Sequence, residues 1–403
     1  MNKKALVIFL FVFSCSLLPA ADFGLVLDQN ADYGGFGNRN TFTYSGILTP
    51  RLSIMLGNIG DVFFSAGIEA SYNEKWSYVP ELLRTEISLF QGILDFTIGR
   101  MHYYEPLGFI AEGLFDGAQF SITGESGKLS LGVWYTGFLY KRRANIAMTQ
   151  EELQSYAVSL DYNDFLSTYF APRRAVYALN WEYLGWPAQL RLFALGQVDL
   201  SNGFNFSGSP LLHTQYIAGK VSAPGNVFSF DLGITLETIQ DDGKFGMAYA
   251  AEFRAAIMPP ADIPNRLSFL ARYSSGKSKN SPFLAFQPIT TKGHGEIINA
   301  KFSGLSILSL DFMLRPHKTF SLGITSSYFI RSDLETYMLY PVSEQNNSGY
   351  LLGDEFFGKF LWNPVSDISF NFGGGVFLPF LGNVAPSADS SWRAELNAVI
   401  SLR

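Results

Sequence analysis

The chain is poor in charge and in cysteine, and it has no long apolar run. Asp, Glu, Lys and Arg make up 16% of its 403 residues, against about 25% in ordinary soluble domains. So few charges make a thin water-facing surface, which disfavours a soluble multidomain protein. The net charge is -6, so the cationic footprint that nucleic acid requires is missing. A single cysteine, Cys15, excludes a disulfide framework. The four histidines, His102, His213, His294 and His317, are scattered. No His-x-x-x-His pair, cysteine pair or nucleophile elbow accompanies them, which speaks against an enzyme, a metal centre or a cofactor site. The stretch DQNADYGG from Asp28 resembles a calcium loop, but Tyr33 stands where such a loop needs glycine and Arg39 where it needs its last glutamate. After the leader no stretch of about 18 apolar residues occurs, so no transmembrane helix is written.

What is present is aromatic and alternating. Phe, Tyr and Trp reach 16%, with 37 Phe and 20 Tyr. At the start, Lys3 and Lys4 precede the apolar run 5–13, and Ala20 and Ala21 follow, the order of an export signal. Residues 1–21 are therefore read as a signal peptide and 22–403 as one domain. The VFSC stretch ending at Cys15 leaves lipidation of that cysteine as an alternative.

Apolar and polar residues then alternate with period two in segment after segment, as in 64–72, 129–135, 228–236, 247–255, 267–273, 368–378 and 392–402. Period two is the signature of strands with one greasy and one wet face. Short polar turns such as NIGD (58–61), TGESGK (123–128), DDGK (241–244) and NPVSD (363–367) separate some pairs. Others are joined by long connections at 140–174, 275–295 and 331–349. A soluble sandwich also alternates, but there the wet face carries many Lys and Glu. Here that face is rich in Gly, Ser and Thr. Large aromatics stand at strand ends (Tyr72, Trp181, Tyr183, Trp362, Trp392), as in interfacial girdles. In hydrocarbon only a closed barrel pairs every strand. The expectation is an all-β fold: a single closed antiparallel transmembrane β-barrel of about 18 strands, 16 being possible. One segment breaks the period. Thr149 and Glu152 form a capping box, and Leu153, Tyr156, Ala157 and Leu160 follow helical spacing, which predicts a short loop helix near 150–160.

Parity turns a set of charges inward: Arg84, Glu86, Arg191, Asp231, Glu252, Arg254, Arg266, Arg272, Glu355, Lys359, Arg393 and Glu395, with Glu69, Glu237 and Lys301 among others. A bulge at Gly99 is expected to aim Arg100 into the lumen, where it would pair with Asp116 or Glu86. Arg191, Arg254, Arg266 and Arg272 form either a basic stripe for an anionic solute or braces against Glu252 and Asp231. No apolar inner stripe is visible.

Two stretches resemble the alginate export family of outer-membrane barrels. The first, FTIGRMHYYEPLGFIAEGLFDGAQFSI (96–122), has Gly99 and Arg100 closing one strand and Asp116 and Gly117 opening the next. The second, GYLLGDEFFGKFLWNPVSDISFNFGGGVFLPFLGN (349–383), matches at Gly353, Glu355, Gly373, Gly375, Phe377 and Pro379. The family often has Asp two residues after that Glu, where Phe357 stands here. The resemblance implies an 18-stranded porin-type channel in the outer membrane of a diderm bacterium that passes small solutes or a polysaccharide. Its expected partners are outer-membrane lipid and the barrel-insertion machinery. A surface adhesin displaying long loops, or a soluble all-β exported protein, is the alternative.

Overall fold

The computed structural model describes residues 21–37, 39–148, 152–153, 158–183, 185, 187–201, 211–241, 244–277, 283–334, 346 and 348–402. The expected leader lies almost wholly outside them. So does most of the expected helix near 150–160, of which Glu152 and Leu153 are helical. Two one-turn helices flank that segment, α1 (Lys141–Ala144) and α2 (Phe165–Tyr169).

Eighteen strands form one antiparallel sheet. In chain order they begin with β1 (Ala21–Phe36), β2 (Arg39–Met55), β3 (Gly60–Asn73), β4 (Lys75–Gln91), β5 (Leu94–Tyr104) and β6 (Glu112–Thr123). There follow β7 (Gly127–Tyr135), β8 (Arg174–Tyr183), β9 (Gln189–Asp199), β10 (Leu212–Ala223), β11 (Phe228–Asp241), β12 (Lys244–Ile257) and β13 (Asn265–Ser274). After a loop hairpin, β14 (Gly293–His294) and β15 (Ala300–Lys301), come β16 (Leu305–His317), β17 (Phe320–Arg331), β18 (Leu351–Val365), β19 (Ile368–Leu378) and β20 (Ser391–Leu402). Each pairs with its sequence neighbour, and β1 closes on β20 from Leu25↔Leu402 to Phe36↔Ser391. The sheet is thus a barrel, and at this strand number it encloses a lumen. Lys301, expected in the wall, stands in the loop hairpin instead.

The alternation sets the two faces. In β20 Leu396 and Leu402 face out, while Arg393 and Glu395 face in and form ion pairs. Aromatic pairs mark both rims. Tyr33–Trp392 (5.1 Å) and Tyr72–Trp76 (5.4 Å) stand at one end, and Trp181–Tyr183 (5.9 Å) and Trp362–Phe370 (5.5 Å) at the other. Ten residue rises of about 3.4 Å along a strand tilted about 40° separate Trp392 from Leu402, so the outward apolar belt is roughly 25 Å tall.

At the end where β1 begins, every connection is short, from 92–93 up to 258–264. The other end carries the long links from β7 to β8, β13 to β16 and β17 to β18, together with the short links from β1 to β2, β3 to β4 and β11 to β12. The DDGK stretch therefore links β11 to β12 at the loop end, not at the short-turn end.

The core of the molecule lies inside the barrel. Leu107, Phe109 and Ile110, Ile146, and Phe286, Ile289 and Phe302 fold inward from three connections. They pack on Phe115, Trp134, Tyr216, Ala248 and Phe329 of the wall. The expectation of no apolar inner stripe fails here, because strands turn Phe115, Trp134, Tyr216 and Phe329 inward and further apolar residues arrive on loops whose path no strand pattern encodes. Among the described residues, β20 and β1 to β4 contribute nothing to this cluster. An arc of the lumen wall is left uncovered.

Candidate pore lumen

Three buried glutamates anchor the inward-folded connections. Glu105 accepts from the backbone N–H groups of Leu107, Phe109 and Ile110 (2.5–2.9 Å), which closes the 105–111 connection on itself. Burial pushes its carboxyl above the ordinary value, and the Ile110, Leu107 and Phe109 donors pull the other way. Glu237 of β11 accepts from the N–H of Gln287 (2.9 Å). Glu355 of β18 accepts from the N–H groups of Glu296, Ile297 and Ile298 (2.7, 2.9 and 3.0 Å). The 275–304 connection thus crosses the lumen between β11 and β18. Gly295, at φ +83, makes the docking possible: a Cβ there would lie 2.9 Å from the Glu355 carboxylate and 2.8 Å from Phe329. Beside this tip, burial together with Arg272 and Lys292 lowers His294 to about 3. The two plugging connections also join each other, with Ile289 and Thr290 donating to the Ile110 carbonyl.

The uncovered arc is polar. Arg393 reaches Asp32 and Glu395, and its Nη1 donates to the Glu296 carbonyl (2.6 Å). Lys359 pairs with Glu296. Further round, Asn397 donates to Asp28 (2.8 Å). Arg143, on α1, bridges Glu69 and Glu81 (2.9 Å each). A cavity of about 160 Å³ there is lined by Asp28, Asn30, Ser45, Glu69, Arg143 and Asn397. Arg84 pairs with Glu86 nearer the short-turn end. The lane is therefore narrowed by Arg143 on one side and by the Glu296 tip on the other, and its acids outnumber its bases.

Across the barrel, Glu252 gathers Arg272 (2.6 Å), Arg254 (3.8 Å) and Lys220 (3.9 Å), and Asp231 faces Lys220 (3.8 Å). Arg191 pairs with Glu182 (2.8 Å). Three of the four arginines of the candidate basic stripe are thus braced by acids. Arg266 is exposed and makes no ion pair among the described residues. Arg100 and Asp116 require a correction. They do pair, in a bidentate contact (2.7 and 2.8 Å), but on the outward face. Arg100 keeps the parity of Phe96 and Ile98, both exposed, while Met101 and Tyr103 turn inward. Gly99 takes φ +125 without shifting the register, so Arg100 is not re-aimed.

Strand parity alone also missed Glu105, Arg143 and Glu296, which ride on loops, and Arg174. Arg174 is fully buried at the base of β8 and binds Asp199 (2.7 Å) and Glu152 (2.6 Å). A charged residue opening a strand after a long connection was the available signal.

A closed 18-stranded barrel with an inward-folded plug can be compared with known proteins. No protein-family model matches the chain, and no curated protein matches it. Solved structures do. Pseudomonas aeruginosa OccK5 (OpdH) superposes with a TM-score of 0.61 at 9% identity, covering 94% of this chain and 98% of that one. The outer-membrane protein OprD from the same organism gives 0.58 at 11%, covering 95% and 94%. OccK2 (OpdF), solved in complex with glucuronate, gives 0.59 at 12%, covering 96% and 98%. In fold, the chain is similar to the OprD and Occ proteins. The likeness spans the whole OprD/Occ barrel. It bears out the porin-type architecture and does not single out the alginate export family.

Proposed function

We propose that the chain is an outer-membrane channel of a diderm bacterium, passing small polar solutes along the lane between β20 and β4. The observation that carries this is the pairing of faces. An apolar belt of roughly 25 Å, bounded by aromatic rims, matches the hydrocarbon core of an outer membrane, while the inner face of the same strands holds charged groups around open space. Charged rings at a constriction set selectivity by their local field. The excess of acids along this lane favours cations over anions of equal size. OccK2, solved with glucuronate, supports the size class.

A polysaccharide, as the alginate-export likeness of 96–122 and 349–383 implies, is the less favoured cargo, because the plug fills most of the inner wall. The adhesin reading is weaker too, since Arg143 and Ile146 of one long connection and Phe286, Ile289 and Phe302 of another fold into the lumen. As a β-barrel bound for the outer membrane, the chain would be delivered by an export signal and folded by the barrel-insertion machinery. The decisive test is reconstitution of the mature chain in planar bilayers under a KCl gradient. Discrete conductance steps with a reversal potential on the cation side are expected. A protein that inserts and stays silent at all voltages overturns the reading.

A further inference from the structure

The wall of the barrel is not uniformly laced. The β4–β5 ladder runs from Gln91↔Leu94 to Thr85↔Arg100 and stops there, although β4 continues to Lys75 and β5 to Tyr104. Above that point the edge of β4 facing β5 is held by side chains instead of by a strand. Arg100 Nη1 donates to the Leu82 carbonyl (2.6 Å), the Tyr169 hydroxyl to the Pro80 carbonyl (2.8 Å), and the Tyr162 hydroxyl to the Tyr78 carbonyl. Pro80 has no N–H to leave unpaired on this edge. Its ladder partner Ile68 on β3 is 61% exposed, so the parting lies at the height of the apolar belt.

The parting has an outside, a stopper and an inside. Outside, Phe138, whose carbonyl accepts from Arg100 (2.9 Å) and whose ring meets the outward Tyr135, is 61% exposed. The stopper is aromatic: Tyr140, Phe165 and Tyr169 stack at 4.5–4.9 Å and pack on Val79, an inward residue of β4. Inside, three residues beyond Tyr140, Arg143 meets Glu81 and Glu69 in the polar lane.

We propose that this parting is a lateral portal, through which an amphipathic solute with an apolar body and a small polar head passes between the lane and the outer leaflet. The chemistry follows from the two ends of the path. An apolar body suits the aromatic stopper and the lipid beyond it, and a polar head suits the ion pairs of the lane. A wall with only a sealing role is strongest when fully hydrogen-bonded between strands, since an unpaired group in hydrocarbon costs several kcal/mol. Single side-chain bonds to carbonyls contribute about 0.5–1.5 kcal/mol each and open without breaking the ladder below Thr85. The proposal rests on the chain's standing in a membrane, and it adds a second route to the channel reading.

The test uses the full chain in cells whose outer membrane otherwise excludes the dye 1-N-phenylnaphthylamine. Cysteines at Val79→Cys and Tyr169→Cys are bridged by a short bis-maleimide. Dye entry is expected to fall several-fold on bridging and to stay high in the unbridged protein, while bilayer conductance is unchanged. The variant Tyr162→Phe with Tyr169→Phe removes only the two hydroxyl latches, and dye entry is expected to rise several-fold. Equal dye entry with and without the bridge, at intact conductance, overturns the portal and leaves the channel standing. Should the cysteine protein fail to fold, unchanged dye entry in the double Tyr→Phe variant overturns it instead.

Discussion

The docking of the 275–304 connection on Glu355 makes the most demanding prediction. One carboxylate, 2% exposed, receives three backbone N–H groups of the loop tip. A hydrogen bond to a charged group contributes about 1.5–3 kcal/mol. The three share one acceptor and water replaces part of the loss, so Glu355→Ala weakens docking by about 3 kcal/mol. At about 1.4 kcal/mol per decade, the docked-to-undocked ratio falls roughly a hundredfold. In Glu355→Gln an oxygen remains for Ile297 and Ile298, but an amide –NH₂ meets the N–H of Glu296. The loss is then about 1.5 kcal/mol, roughly tenfold. Undocking withdraws Glu296 from Lys359 and Arg393 and widens the lane. Single-channel recordings should show larger and noisier steps in the order Ala, Gln, wild type. Trypsin should cut after Lys292 and Lys301 in the same order. The heat-modifiable gel mobility of the barrel should hold, because the strand ladders are untouched. Wild-type conductance together with wild-type resistance at Lys292 and Lys301 in Glu355→Ala would refute the reasoning.

Acid should act on the same tip. His294 is held at about 3 in the docked state, against an ordinary 6.5. An undocked tip therefore gains a proton below about 6.5 that the docked tip refuses, and docking strength present above that pH is lost as pH falls toward 3. At pH 5 the loss is about 2 kcal/mol, and conductance noise should rise; His294→Gln should flatten that response. Arg143→Ala removes a cation opposite Glu69 and Glu81; with about 1 kcal/mol for a unit charge at 4 Å in water, the K⁺/Cl⁻ permeability ratio read from the reversal potential should rise about fivefold. Arg100→Ala strands Asp116 and the Leu82 and Phe138 carbonyls on the outer wall, a loss of about 3–5 kcal/mol. The temperature of the heat-modifiable transition should drop, and Arg100→Lys should not restore it, because one ammonium does not reproduce the forked contact.

The strand pattern was legible because lipid and lumen impose opposite demands on alternate residues, and that pressure acts at every position. Parity therefore placed Arg272, Glu252, Lys359 and Arg393 on the inner face. Alternation had kept Arg100 and Asp116 outward, and only the expected bulge at Gly99 pointed the arginine into the lumen; the register holds there, and the turn of chain that carries Phe138 covers the pair. Parity was blind to the plug. Glu355 and Ile298 are 57 residues apart, and Glu112 and Thr290, which also bond, are 178 apart. No local period links such pairs. The inward-read Glu237 and Glu355 had the right address and an unforeseen task, since their acceptor capacity serves loop amides rather than a passing ion.

The seam between β1 and β20 has a consequence for how the molecule comes into being. Strand β1 must wait for β20, because each supplies the partner that the other's edge requires along Leu25–Phe36 and Ser391–Leu402. No subset of the strands has a finished rim. Until β20 is in place, two sticky borders stay open at once, each a template for aggregation. Completion is thus a single event, and truncating β20 should yield not a narrower pore but a sheet that never shuts.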